Sequence, residues 1–295
     1  MTETQELEQP PSLTGLYPRA LTGAVTELPR KLPGLGRGGD PQLPDKRLVV
    51  HGVEIDRDHV AHYAHVCGFR LTNALPPTYP HMSTFPLQMK LMTDGAFPFP
   101  AMGLVHIENE IEVKRPIGIG EALDFDVRAE NLREHDRGLQ FDMVADATAD
   151  GEPVWHSKST YLRRQGGGSS GGGGSAKKGS EPPAPKSIWK VDDDIGRRYA
   201  SVSGDINPIH MHGLSARLFG FPKPIAHGMW LKARCLAALE GLLPDALAVH
   251  VSFKLPLLLP AKVAFADWEA NGGRDFAVHD ARKGKPHLTG SVRPA

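Results

Sequence analysis

A 21-residue tract, GGGSSGGGGSAKKGSEPPAPK at 166–186, divides the 295-residue chain and constrains it more than any other feature. It is almost free of apolar side chains, so the segments on either side must build their cores without it. Its Gly/Ser portion has the composition of flexible linkers, natural or engineered, and its Pro-containing end is stiffer. As a coil it would span roughly 25 Å root-mean-square, enough to reach across one domain. The reading that follows is an N-terminal arm at 1–45, mostly irregular with one short helix around Leu16–Leu28. A first folded unit at 46–165, a linker at 166–187 and a second unit at 188–295 come after it. Both units fall in the usual size range of domains, and 40% hydrophobic residues exclude wholesale disorder.

The two units echo each other. Asp56-Arg-Asp-His-Val-Ala-His-Tyr63 and Asp192-Asp-Asp-Ile-Gly-Arg-Arg-Tyr199 each open an amphipathic helix with acidic residues, where the positive end of the helix dipole favours them. Each helix ends at a glycine five residues after its tyrosine, Gly68 and Gly204. A Pro-rich loop follows in both, and then an apolar, Met-containing helical stretch, Phe85–Met92 and Met229–Leu242. Val113-Lys-Arg-Pro aligns with Phe253-Lys-Leu-Pro, and prolines there predict strand ends or a bulge. Strand-like segments come last: 123–129, 139–148 and 154–162 in one unit, 263–269, 275–280 and 287–292 in the other. The pattern is an α+β unit repeated twice.

Charge and cysteine content narrow the function. Residues 1–165 carry 23 acidic and 17 basic side chains, and residues 166–295 carry 11 and 17. The zero net charge thus hides a −6 half and a +6 half. Overall neutrality argues against a dedicated nucleic-acid binder. The acidic, polar start lacks a secretory signal, no run of 18 apolar residues predicts a membrane span, and two cysteines fit a reducing cytoplasm. Cys67 and Cys235 read as buried small hydrophobes.

The strongest local signal is Tyr199-Ala-Ser-Val-Ser203-Gly204-Asp205-Ile206-Asn207-Pro208-Ile209-His210. On one helix Asp205 and His210 would point about 140° apart, at 100° per residue. Gly204 and Pro208 instead predict a loop, which can turn both side chains onto one point. A paired carboxylate and imidazole suit general acid–base work on water or a hydroxyl, although such a pair in a loop is also common as structure. Asp205, His210 and His212 superficially offer metal ligands but lack a convincing supporting shell, so no metal is assigned. Gly34-Leu-Gly36-Arg-Gly-Gly39 matches a dinucleotide-loop spacing, but neither a strand before it nor a helix after it is predicted, so that reading is rejected. Met229, Trp230, Leu236 and Leu239 read as core, and His62, His65, His81 and His106 as surface or core polar residues.

The Ser-Gly-Asp-x-Asn-Pro-x-His stretch, with Ile225-Ala-His227-Gly228-Met229 downstream, resembles the signature of the MaoC-like, or R-specific enoyl hydratase, branch of the hotdog-fold proteins. Across both units the chain looks similar to double-hotdog 3-hydroxyacyl-thioester dehydratases of actinobacterial type. Hence the resemblance implies two hotdog units, each a central helix wrapped by a curved antiparallel sheet. The first unit, whose matching stretch Gly68-Phe-Arg-Leu-Thr-Asn-Ala-Leu has neither Asp nor His, would be a non-catalytic partner shaping the acyl tunnel. By the same resemblance Asp205 and His210 are the catalytic pair and the Gly228 N–H the oxyanion donor. Ser203, Asn207 and His227 support them. The implied reaction converts a (3R)-hydroxyacyl thioester of coenzyme A or acyl carrier protein to a trans-2-enoyl thioester and water, without cofactor, in a monomer or homodimer. The basic second unit would attract the carrier's phosphates. A hotdog thioesterase is the competing enzyme class. It needs a carboxylate on the central helix, where only Glu240, near the far end, is available. A non-catalytic acyl-thioester binder is the third reading.

Overall fold

The computed structural model describes residues 2–26, 40–164 and 184–295. The Gly34–Gly39 motif and most of the expected linker lie outside these residues.

The chain opens with strand β1 (Glu3–Leu7), which the sequence reading did not include, and helix α1 (Leu13–Thr26), near the short helix expected around Leu16–Leu28, while residues 8–12 and 40–45 of the arm form neither helix nor strand. The first repeat then runs β2 (Lys46–Val53), α2 (Arg57–Cys67), α3 (Pro80–Met92), β3 (Val105–Val113), β4 (Leu123–His135), β5 (Gly138–Ala149) and β6 (Glu152–Arg164). After the tract come β7 (Ser187–Val191), α4 (Ile195–Ser203), α5 (Pro208–Met211), α6 (Gly213–Leu218), α7 (Gly228–Ala238), a 3-10 turn at Glu240–Leu242, β8 (Leu247–Phe253), β9 (Ala261–Ala270), β10 (Gly273–Asp280) and β11 (Pro286–Pro294). Strand β7 starts at Ser187, a position the sequence reading placed in the linker.

All strands form one sheet in the order β1-β2-β4-β5-β6-β3-β8-β11-β10-β9-β7. Read inward from the two ends, β2 corresponds to β7, β4 to β9, β5 to β10, β6 to β11 and β3 to β8. The repeat is therefore built into the topology, with β1 added in parallel on the outer side of β2. The halves meet at an antiparallel β3–β8 ladder from Glu108↔Ser252 to Val113↔Leu247. Two strand edges that a lone unit would leave open pair with each other there. Both strands stop at the residue before the Lys-x-Pro segment, Val113 and Phe253, because proline cannot continue the ladder.

The helices form for legible reasons. Asp56 caps α2 by accepting the N–H groups of Asp58 and His59, and Gly68 ends it in the left-handed conformation at φ 84°. Gly204 does the same for α4 at φ 68°. Helix α3 begins at Pro80, five residues before the expected start, with proline in the first turn where its missing N–H costs nothing. Met82, Phe85, Leu87 and Met89 of α3, and Trp230, Leu231, Ala233 and Leu236 of α7, are buried in one continuous core. Trp230 Nε1–H donates to the Val66 carbonyl of α2 at 3.1 Å, tying the second half's central helix to the first half.

Candidate active site

The signature residues converge at the turn between α4 and α7. Asp205 lies in the loop after Gly204. His210, expected in that loop, sits instead on the one-turn helix α5, which Pro208 starts and Asn207 caps by accepting the Ile209 N–H at 3.3 Å. Helix α5 packs closely on α4 at Gly196: a Cβ there would stand 2.2 Å from the His210 carbonyl oxygen. Only glycine allows that approach, and sequence reasoning missed its role. Ser203 is buried, and its Oγ accepts the Asp205 N–H at 3.1 Å.

Asp205, His210 and His227 each place a ligand-type atom within 4.8 Å of the other two. His227, not His212, is the second histidine of the cluster. The His210 and His227 rings stack with centroids 3.6 Å apart and planes 25° apart. His210 Nδ1 lies 2.8 Å from the Ile225 carbonyl, so Nδ1 carries the proton and the neutral ring's lone pair is on Nε2. His227 Nε2 donates to the backbone carbonyl of Asp205 at 2.9 Å, leaving its buried Nδ1 without a protein partner. A metal ion binds in the plane of each imidazole, and near-parallel stacked rings do not direct their lone pairs to one point. The geometry therefore suits a stacked pair better than a joint ligand set.

Electrostatics separate the three groups. Burial opposes the Asp205 charge, but His227 and His210 nearby, the Tyr17 hydroxyl and the Asn207 N–H outweigh it and hold the carboxyl below the usual range. Burial pushes His210 down despite Asp205 and the Ile225 carbonyl. Burial and the adjacent His210 push His227 to about 3. At neutral pH the site therefore holds an ionised carboxylate beside two neutral imidazoles.

One functional contact comes from the arm. Tyr17 of α1, 5% exposed, donates its hydroxyl to Asp205 Oδ1 at 2.9 Å across 188 residues of sequence. The same oxygen accepts the Asn207 N–H at 3.1 Å. A signal for this docking exists in the sequence: Leu13, Leu16, Tyr17 and Ala20 recur at helical spacing, and the last three are buried.

These residues line a cavity of about 360 Å³ that draws its wall from both repeats. Phe85, Met89 and Tyr161 come from the first, and Met229, Leu231 and Phe253 from the second. Gly228 is the first residue of α7, where a helix N–H has no intrahelical acceptor, and it lies on the cavity wall. The Phe253 ring fills the space a Gly228 side chain would occupy, 3.0–3.2 Å from the Cβ position. His106 was read as one of the surface or core polar histidines. It is a half-buried cavity residue stacked on Tyr161 at 4.7 Å, and loss of solvent around the ring, with His81 nearby, pushes it to about 3. Glu240 is turned away to accept the Arg70 N–H at 3.0 Å. Cys67 and Cys235 are buried free thiols, and burial raises the Cys67 thiol to about 12.

The chain is similar to known proteins in sequence and in fold. Residues 176–290 match the MaoC like domain. The chain is 42% identical over 288 residues to 3-hydroxyacyl-thioester dehydratase X of Mycobacterium tuberculosis, covering 97% of this chain and 99% of that protein. The crystal structure of HtdX from M. tuberculosis superposes with a TM-score of 0.76 at 42% identity, covering 84% of this chain and all of the other. A MaoC-like dehydratase from Phytophthora capsici shares the fold at 18% identity, with a TM-score of 0.67 over 87% of this chain and 96% of its own. Identity at this level over nearly the whole length, joined to the Asp205–His210 signature, makes the chain a member of the MaoC-like dehydratase family.

Proposed function

We propose that the chain is a (3R)-hydroxyacyl-thioester dehydratase, acting reversibly as a trans-2-enoyl-thioester hydratase, in the fatty-acid metabolism of the cytoplasm. One observation carries the reading: an ionised Asp205 and a neutral His210, no more than 4.8 Å apart, face a largely apolar cavity beside the open N-terminus of α7. Two acceptors at that spacing can hold one water by both of its protons, at about 2.8 Å from each. That is the arrangement hydration requires. As the water oxygen adds to Cβ, one acceptor takes its proton and passes that proton to Cα on the same face, so the pair ends in its starting state. Dehydration reverses these steps. Negative charge gathers on the thioester oxygen along the way, and the Gly228 N–H is the donor for it. The acyl chain occupies the apolar wall, where the first repeat contributes packing and no acid or base.

Two features disfavour a thioesterase. Neither central helix, α3 or α7, carries a carboxylate, and Glu240 is occupied by the Arg70 backbone. A pure binder has no use for an anchored acid–base pair. The test supplies a 2-enoyl thioester and follows loss of the enoyl absorbance alongside free thiol. Hydration without thiol release is expected, and Asp205→Asn or His210→Ala should each lower turnover by about 10²-fold or more while the protein stays folded. Thiol release would identify a thioesterase instead, and near-normal turnover in either variant would remove that residue from the catalytic pair.

A further inference from the structure

The cavity has a charged mouth that the acid–base chemistry does not use. Among the described lining residues only Gly103, Arg137 and Lys254 are exposed, so the opening lies beside them. Arg164 also lines the wall. The three cations come from both repeats: Arg137 from the β4–β5 turn, Arg164 from the last position of β6, and Lys254 from the residue after β8. Arg137 precedes Gly138, whose ladder partner is Arg164, which places the two arginines side by side.

None of the three has an ion-pair partner among the described residues, and Asp205 is the one carboxylate among the described lining residues. Arg164 Nε is buried and makes no hydrogen bond among the described residues. A buried, unsatisfied guanidinium nitrogen beside a second arginine is costly unless an anion completes it. Burial and the neighbouring Arg137 accordingly lower the Arg164 pKa.

The spacing fits a carrier. Tyr161 lines the same cavity as Asp205 and His210. Arg164 is three residues further along the same strand, roughly 10 Å at 3.3 Å per residue. An arginine side chain extends this toward the opening. A pantetheine thioester carries its first phosphate at the far end of a long flexible arm, so the thioester can reach the acid–base pair while the phosphate stays at the mouth.

We propose that Arg137, Arg164 and Lys254 form an anion clamp for the phosphate of the thioester's carrier, with the paired guanidiniums gripping its oxygens. The proposal rests on the dehydratase reading. It also moves the expected attraction: two of the three cations belong to the half of the chain with net charge −6, so local placement and not the basic half as a whole would recruit the substrate.

The test compares three enoyl thioesters: of pantetheine (no phosphate), of coenzyme A, and of a phosphopantetheinylated carrier protein (one phosphodiester). Native enzyme and an Arg137→Gln/Arg164→Gln variant are assayed side by side. The expected result is a kcat/KM for the coenzyme A thioester at least about tenfold above the pantetheine thioester in the native enzyme. That ratio should collapse toward one in the variant, since charged hydrogen bonds of this type carry that much. An equal loss with the carrier-protein thioester identifies the phosphodiester as the anion. A loss confined to coenzyme A identifies its additional phosphates. A ratio unchanged within twofold overturns the clamp. If native enzyme hydrates none of the three, the dehydratase reading fails, and calorimetric titration with coenzyme A against pantetheine then decides the clamp. Tighter coenzyme A binding that disappears in the variant supports it, and equal binding of both by the native protein overturns it.

Discussion

The two oxygens of Asp205 have different work. Oδ1 accepts the Tyr17 hydroxyl and the Asn207 N–H, whereas Oδ2 accepts no hydrogen bond among the described residues, with His227 Nε2 at 3.7 Å beyond that range. Oδ2 is therefore the oxygen open to a water or a 3-hydroxyl, and Tyr17 acts by fixing the carboxylate plane. Removing the hydroxyl withdraws a donor from the charged form, so the Asp205 pKa must rise. Tyr17→Phe should lower kcat by about 3- to 30-fold and move the acid limb of the kcat/KM–pH profile upward. A profile and rate that match the native enzyme would reduce Tyr17 to packing. Asp205→Asn in the same assay shows how much activity the carboxylate itself supplies.

Among the elements, α1 decides whether Tyr17 is in place. Its Leu13 side chain sits over Gly204: a Cβ on Gly204 would stand 2.2 Å from Leu13 Cδ1, at a residue that also needs a left-handed φ. Gly204→Ala should cost about 1–2 kcal/mol from the backbone alone. Because the clash falls on Leu13, Gly204→Ala and Leu13→Ala together should cost less than the sum of their separate effects in denaturant unfolding. Strict additivity would mean that α1 does not rest on the signature loop in solution. Local signals made much of this scale readable. Asp56, Gly68 and Gly204 mark helix ends, the prolines after Val113 and Phe253 mark strand ends, and the alternation over β4–β6 and β9–β11 shows the repeat. The Asp205–His210 pairing was readable because both lie within one short motif. What escaped was non-local. Strand β1 is short and largely polar, and it is held by backbone pairing with β2 some forty residues on. Tyr17 reaches Asp205 only through tertiary docking, and the Arg137–Arg164 pair exists only once β5 and β6 are in register.

At the scale of the whole molecule, the halves are joined by the β3–β8 ladder and by one buried lysine. Lys232 of α7 is fully buried, and its Nζ lies within hydrogen-bond reach of the Asn109 side-chain oxygen, the Asn109 carbonyl at 3.3 Å and the Val249 carbonyl at 3.4 Å. The Asn109 amide donates in turn to Ser157 and Ser159, so a helix of the second repeat is fastened to two strands of the first. Lys232 lies one turn below Gly228, which makes this network part of what aims the helix N-terminus at the cavity. Its partners are neutral, and burial lowers the lysine pKa well below normal, against a weaker opposite pull from Glu110. The sign of the linkage follows. Between the depressed folded pKa and the ordinary value near 10.4, the unfolded chain binds a proton that the folded chain does not, so stability rises with pH across that window and levels off above it. Lys232→Met keeps most of the volume and removes the titration. The stability of native protein relative to this variant should therefore increase between pH 9 and pH 10, just below the ordinary lysine value, by up to about 1.4 kcal/mol per pH unit. The variant should also be less active, because the orphaned acceptors cost about 1–3 kcal/mol and loosen α7. Denaturant unfolding of both proteins at the two pH values measures the difference. A constant gap would show that Lys232 keeps its charge inside the fold, with the three carbonyl-type oxygens sufficient to hold it.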